Sequence, residues 1–91
     1  MKRLKIKRRE FIWEEKNIKH IAKHNVNPNE AEGVLKDYVS RETYKDRIML
    51  IGRSGKRILT VILGKEAKGY YVVSARDAGK KERRIYKNEK T

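Results

Sequence analysis

Apolar residues change their spacing twice along this chain, and each change marks a boundary between kinds of secondary structure. After an apolar knot at Phe11, Ile12 and Trp13, residues Ile18, Ile21 and Ala22 stand at i, i+3 and i+4, the spacing of one helix face. Glu14 and Glu15 come just before, where a helix dipole favours carboxylates. The spacing predicts a helix from Glu14 to about His24, with Trp13 as a core anchor. Lys16, His20 and His24 form a separate, mostly solvent-facing stripe, with His24 at the edge of the apolar face. Asn27-Pro28-Asn29-Glu30 predicts a second helix start: a capping asparagine, a proline at the first helical position and a glutamate three residues after the cap. Ala31, Val34 and Leu35 would be its buried side, ending by Asp37, and the tight Asn25-Val26 link makes the pair an αα-hairpin.

From Tyr38 the pattern turns extended. Strands are predicted at Tyr38–Tyr44, Asp46–Arg53, Arg57–Leu63 and Tyr70–Ala75, with turns at Ser54-Gly55-Lys56 and Gly64–Gly69. Connections this short imply antiparallel hairpins. Helix formers return at Ala78–Asn88, where Gly79 and Glu82 supply half of a capping box. Met1–Arg9 alternates Leu4 and Ile6 with basic residues, so residues 1–10 are either a basic arm or an extra edge strand that could run on to Phe11. The expectation is one α+β domain over residues 1–91, with two N-terminal helices, a four-stranded antiparallel sheet with that optional N-terminal strand, and a C-terminal helix.

Charge narrows the partners. Twenty-five Lys and Arg against 12 Asp and Glu give a formal net charge of +13, which points to a polyanion: nucleic acid first, an acidic protein next. There is no cysteine, hence no disulfide and no thiolate chemistry. No apolar run approaches 20 residues, so no membrane span is expected. The basic N-terminus lacks the apolar stretch of a signal peptide, which predicts a cytoplasmic protein.

Candidate chemistry gathers where the last strand meets the last helix. Arg76 sits at that junction, and Glu82 and Tyr86 follow at i, i+4 on one helix face. These groups could converge on a phosphate, or Arg76 could simply pair with Asp77 or Glu82 and pin the helix. Arg53, at the end of another strand, would join Arg76 on one sheet face if the register allows, and two guanidinium forks could then grip one phosphate. His20 and His24 have the spacing of a zinc pair but no third ligand, so no metal is expected; imidazole suits proton transfer better, and plain surface histidines fit as well. Lys80, Lys81, Arg83 and Arg84 are a solvated helix face that also suits a phosphate track. No nucleotide-binding loop, nucleophile elbow or carboxylate pair is present, and no cofactor is expected. What remains is metal-free phosphoryl transfer, for which RNA carries its own nucleophile in the 2′-OH.

Phe11-x-Trp13-Glu14, Lys23-His24-x-Val26, Glu30-Ala31, Gly52-Arg53-Ser54, Ser74-Ala75-Arg76-x-Ala78 and Glu82-x-x-x-Tyr86 together resemble the BrnT family of ribonuclease toxins, over roughly Phe11 to Tyr86. The resemblance implies a RelE-like ribonuclease fold and a type II toxin–antitoxin pair. The antitoxin, BrnA, would wrap the toxin and carry the DNA-binding domain, and a toxin–antitoxin heterotetramer is an assembly this allows. It places functional positions at His24, Arg53, Arg76, Glu82 and Tyr86, with Lys23 beside them. Lys16, His20, Lys23, Lys80, Lys81, Arg83 and Arg84 would hold RNA. Glu14 stands where the pattern has aspartate, Asn25 where it has glycine, and Gly79 where a capping hydroxyl is common. Asn17 to Ile21 matches a variant branch of the family. The expected function is a metal-independent endoribonuclease toxin; a non-catalytic nucleic-acid-binding module and a protein that only binds its antitoxin are the alternatives.

Overall fold

The computed structural model describes residues 5–90. Its elements are β1 (Phe11–Ile12), α1 (Glu15–Ala22), α2 (Pro28–Gly33), β2 (Tyr38–Thr43), β3 (Arg47–Ser54), β4 (Arg57–Glu66), β5 (Gly69–Asp77) and α3 (Lys80–Lys90), with short 3-10 turns at Arg8–Glu10, Val34–Lys36 and Tyr44–Asp46. The sheet order is β1-β5-β4-β3-β2. The four long strands are joined as antiparallel neighbours, as the hairpin connections require. The register sets Ile51 against Thr60 and Thr60 against Arg76. β4 and β5 extend further than their apolar cores suggest, so the turn between them shrinks to Ala67-Lys68.

The fifth strand does come from the N-terminal region, but not where alternation places it. Leu4 lies outside the described residues. Ile6 points inward and is buried, yet its N–H donates to the Tyr38 hydroxyl at 3.2 Å instead of to a strand. The Glu10 carboxylate then accepts from the Lys7 N–H at 2.8 Å and tightens the chain into a 3-10 turn. Among the described N-terminal residues only Phe11 and Ile12 pair, in parallel, with Tyr70 and Tyr71. Gly69 lets this edge close up, since a Cβ there would collide with the Glu10 carbonyl.

Alternating side chains build a core on each side of the sheet. Ile48, Leu50, Leu59, Val61, Leu63, Val72 and Ala75 face Ile6, Phe11, Ile21, Ala31 and Val34, with Trp13 packed alongside. Trp13 donates its indole N–H to Glu32 at 2.7 Å, which satisfies the polar end of the anchor. On the opposite face Val39, Ile51 and Ile58 meet Ala78 and Tyr86, so α3 covers part of that face.

Two details of α1 depart from its apolar pattern. Ile18 is 38% exposed and Ala22 is also exposed, leaving Ile21 as its buried residue. The cause is position: α1 runs along the edge of β5, and Asn17 turns inward to donate its amide to the Val72 carbonyl at 2.8 Å. That bond blunts the part of the β5 edge left open by so short a β1. The helix also closes earlier than His24. Asn25 takes φ 61°, and the Asn25 and Val26 amides return to the Ala22 and Ile21 carbonyls, a left-handed helix stop that asparagine tolerates. The second helix starts as its sequence dictates: Asn27 Oδ1 accepts from Glu30 N–H at 2.8 Å and Glu30 returns the bond at 3.1 Å.

Candidate active site

The strand–helix junction is organised by one carboxylate. Arg76 leaves β5 on the face covered by α3, opposite Thr60. Glu82, in the first turn of α3, accepts from Arg76 Nη1 at 2.8 Å and Nη2 at 2.7 Å. It also accepts from Thr60 Oγ1 at 3.0 Å and from the Gly79 N–H at 2.9 Å. The last bond is the half cap expected of a glycine N-cap. The paired Arg76 guanidinium, foremost, and then the Gly79 and Thr60 bonds draw the Glu82 carboxyl down to about 2, with burial opposing them. The same ion pair raises the guanidinium pKa. Glu82 is therefore ionised at neutral pH and holds the Arg76 guanidinium through both of its oxygens. Arg76 Nη1 also donates to the Asp77 carbonyl at 3.2 Å, and the side chain as a whole remains 41% exposed.

A second cluster sits at the end of β3. Tyr86 donates its hydroxyl to Asp37 Oδ2 at 2.6 Å. Burial first, and then this bond, raise the phenol pKa, while the neighbouring Arg53 guanidinium pulls it back. The Arg53 N–H donates to the Asp37 carbonyl at 3.0 Å, which ties the strand end to the cluster. Arg53 and Arg76 do share a sheet face, but Arg53 pairs with Ile58, while Arg76 pairs with Thr60 two residues along. Two strand spacings and that offset separate their Cα atoms by roughly 12 Å. Glu82 and Tyr86 likewise serve different arginines, so the residues expected to converge form two neighbouring groups.

His24 lies just beyond α1 and is exposed, its ring 6.2 Å from that of His20 in an edge-to-face arrangement. Arg57 fixes where that turn sits: it donates to the Asn25 carbonyl at 2.7 Å, to Asp77 at 3.0 Å and to Glu30 at 3.0 Å. Arg57 and Asp77 lie on the Leu59 face of the sheet, so these bonds hold the turn carrying His24 at the same end of the sheet as Arg76 but on its opposite face. Lys16 and His20 on α1 and Lys23 just after it are exposed and line one hollow. Lys80, Lys81, Arg83 and Arg84 are exposed on α3. Among the described residues no three His, Cys, Asp or Glu side chains gather as a metal-holding group.

Sequence reasoning missed Thr60, Asp37 and Arg57. Thr60 has a signal, as the lone polar residue of Ile58-Leu59-Thr60-Val61-Ile62, and a buried hydroxyl needs a partner. Asp37 and Arg57 have none, because their partners come from distant segments.

A mostly antiparallel sheet flanked by helices, on a chain with a formal net charge of +13, defines a small basic α+β protein suited to a polyanion. The family model described as "Ribonuclease toxin, BrnT, of type II toxin-antitoxin system" matches residues 13–82. The chain belongs to that family of ribonuclease toxins. The crystal structure of the Brucella abortus ribonuclease toxin, BrnT, superposes with a TM-score of 0.63 at 31% identity, covering 77% of this chain and 96% of that one. No curated protein matches the chain in sequence. The shared α+β fold confirms the class expected from the chain's patterning, and family membership implies an antitoxin partner. Among the described residues no helix is long and apolar enough to cross a membrane.

Proposed function

We propose that this chain is a metal-independent endoribonuclease that cleaves RNA by attack of a 2′-OH on the adjacent phosphate. In that reaction the 2′-oxygen bonds to phosphorus and loses its proton, while the 5′-oxygen leaves and takes up a proton. The products are a 2′,3′-cyclic phosphate and a 5′-hydroxyl. Arg76 stabilises the negative charge that grows on the phosphorane, and Glu82 holds its fork in place so that little reorganisation is needed. His24 carries the proton, and Arg53 with Tyr86 contacts the phosphate next to it. Lys16, His20, Lys23, Lys80, Lys81, Arg83 and Arg84 hold the RNA backbone. The observation that carries this reading is the half-exposed Arg76 fork, fixed by two bonds to Glu82. A BrnA-like antitoxin would restrain the activity in the cytoplasm, and co-expression followed by size-exclusion chromatography tests whether the pair forms a heterotetramer.

The deciding experiment is incubation of purified protein with RNA in EDTA, followed by analysis of product ends. Cyclic phosphate and 5′-hydroxyl ends are expected. The closed Arg76–Glu82 pair also favours a second reading, in which Arg76 is scaffold and the protein binds RNA without cutting it. Tight binding with no cleavage, in EDTA or in magnesium, would establish that second reading. Cleavage abolished by EDTA would remove metal independence.

A further inference from the structure

The sheet face that carries Arg76 continues away from α3 into an open hollow of about 650 Å³. Tyr71 and Val73 of β5 form its apolar part, while Lys16 and His20 of α1, Lys23 just after it and Arg47 of β3 surround it. No carboxylate is among its lining residues. The Tyr71 ring is fixed against the sheet by a glycine. Gly64 is its cross-strand partner, and a Cβ at Gly64 would come within 2.6 Å of the Tyr71 hydroxyl and collide with the ring carbons. Gly64 lies in the middle of β3–β4–β5 pairing without a positive φ, so its use there is close approach, not backbone freedom. The Arg47 guanidinium stands over the ring, 5.8 Å from its centroid, near the outer limit of a cation–π contact.

We propose that this hollow seats one unpaired base of a single-stranded RNA, stacked on Tyr71, with Lys16, Lys23 and Arg47 on the flanking phosphates. The proposal rests on the RNA reading above and adds to it how the strand is gripped. A preset aromatic ring gives a base a stacking partner, and the surrounding cations fit the phosphates that such a base brings with it. Duplex RNA has no base to offer, so the site selects unpaired segments. The hollow is also within the size range of sites that enclose a small organic group.

The test uses the full chain and a short fluorescein-labelled single-stranded RNA of mixed sequence with 2′-O-methyl sugars, which supply no 2′-OH for attack. Tyr71→Leu should weaken binding roughly 5- to 150-fold, the range expected for loss of one stacked base. Tyr71→Phe should bind within about twofold of wild type, because stacking needs the ring and not the hydroxyl. Abasic sugars in the same RNA should weaken wild-type binding and leave Tyr71→Leu little changed. Thermal unfolding confirms the fold of each variant. If Tyr71→Leu does not fold, the abasic comparison on wild type decides alone. Equal wild-type affinity for intact and abasic RNA, or undiminished binding by a folded Tyr71→Leu, overturns the stacking site while RNA binding stands. Failure of the wild type to bind RNA at low salt overturns both.

Discussion

Glu82 accepts four donors on one carboxylate, and its role can be separated from that of Arg76 by pH. Its pKa falls from 4.5 to about 2 on folding. A depressed carboxyl pKa contributes stability above the unfolded value and loses it as pH drops through the folded one. Each unit is worth about 1.4 kcal/mol, and solvent screening at the half-exposed Arg76 reduces the expected total to about 2 kcal/mol. Glu82→Gln should therefore unfold more readily than wild type in urea at pH 7. The gap should close as pH falls from about 4.5 toward 2; a gap constant across that window would assign the loss to shape, not charge. Arg76→Lys isolates the fork: it should keep the fold but lose much of the rate, because one ammonium cannot hold Glu82 at both oxygens and still present a planar edge. Arg76→Ala should cost roughly 10²- to 10³-fold in cleavage, and His24→Ala on the order of 10²- to 10⁴-fold if it carries the proton. Cleavage rates measured beside melting temperatures separate these from collapse of the junction, and an active, folded Arg76→Ala protein would remove Arg76 from the site. Arg76 and Glu82 are visible in sequence because they flank a change of period. Asp37 is not, since its bond to Tyr86 spans 49 positions and needs the sheet register to exist first.

At the scale of elements, what the sequence shows best is what local chemistry determines. The Asn27–Glu30 box, the apolar runs of the long strands and the Gly79–Glu82 half cap each contain their own reason. Asn27→Ala should thus cost about 1 kcal/mol in urea unfolding, because it strips the oxygen that accepts the Glu30 N–H. A change below a few tenths of a kcal/mol would mean that Pro28 alone sets the helix start. The misplaced pieces are those decided by neighbours. Ile6 alternates as a strand residue should and is buried as one, but the Tyr38 hydroxyl and the Glu10 carboxylate take the amides that a strand would use. Ile18 obeys helical spacing yet stays exposed, because α1 lies along a sheet edge, not across a sheet face. Periodicity reports which residues could share a face; it says nothing about how wide a surface that face will meet.

Across the whole molecule, charge and topology act together. Of the side chains described, the lysines and arginines of α1 and α3 are exposed, and the sheet between those helices carries Arg47 and Arg76 on the side that α3 covers only in part. A net charge of +13 spread in this way makes RNA affinity an ionic-strength measurement before it is a sequence measurement. Each phosphate neutralised on a single strand releases part of a condensed counterion, about 0.7 in the slope of log K against log salt. Engaging about five phosphates would give a slope of roughly −3.5, so affinity should fall roughly 100-fold between 50 and 200 mM salt. Replacing Lys16 and Lys23 together by Gln should make the slope shallower by about 1.4 if each meets one phosphate. Fluorescence anisotropy with the 2′-O-methyl RNA over that salt range reads both quantities. Affinity indifferent to salt would mean that the positive surface meets no phosphate and would leave its charge to an acidic protein partner. A normal slope unchanged by the double substitution would move the strand off α1 and onto the α3 cations alone.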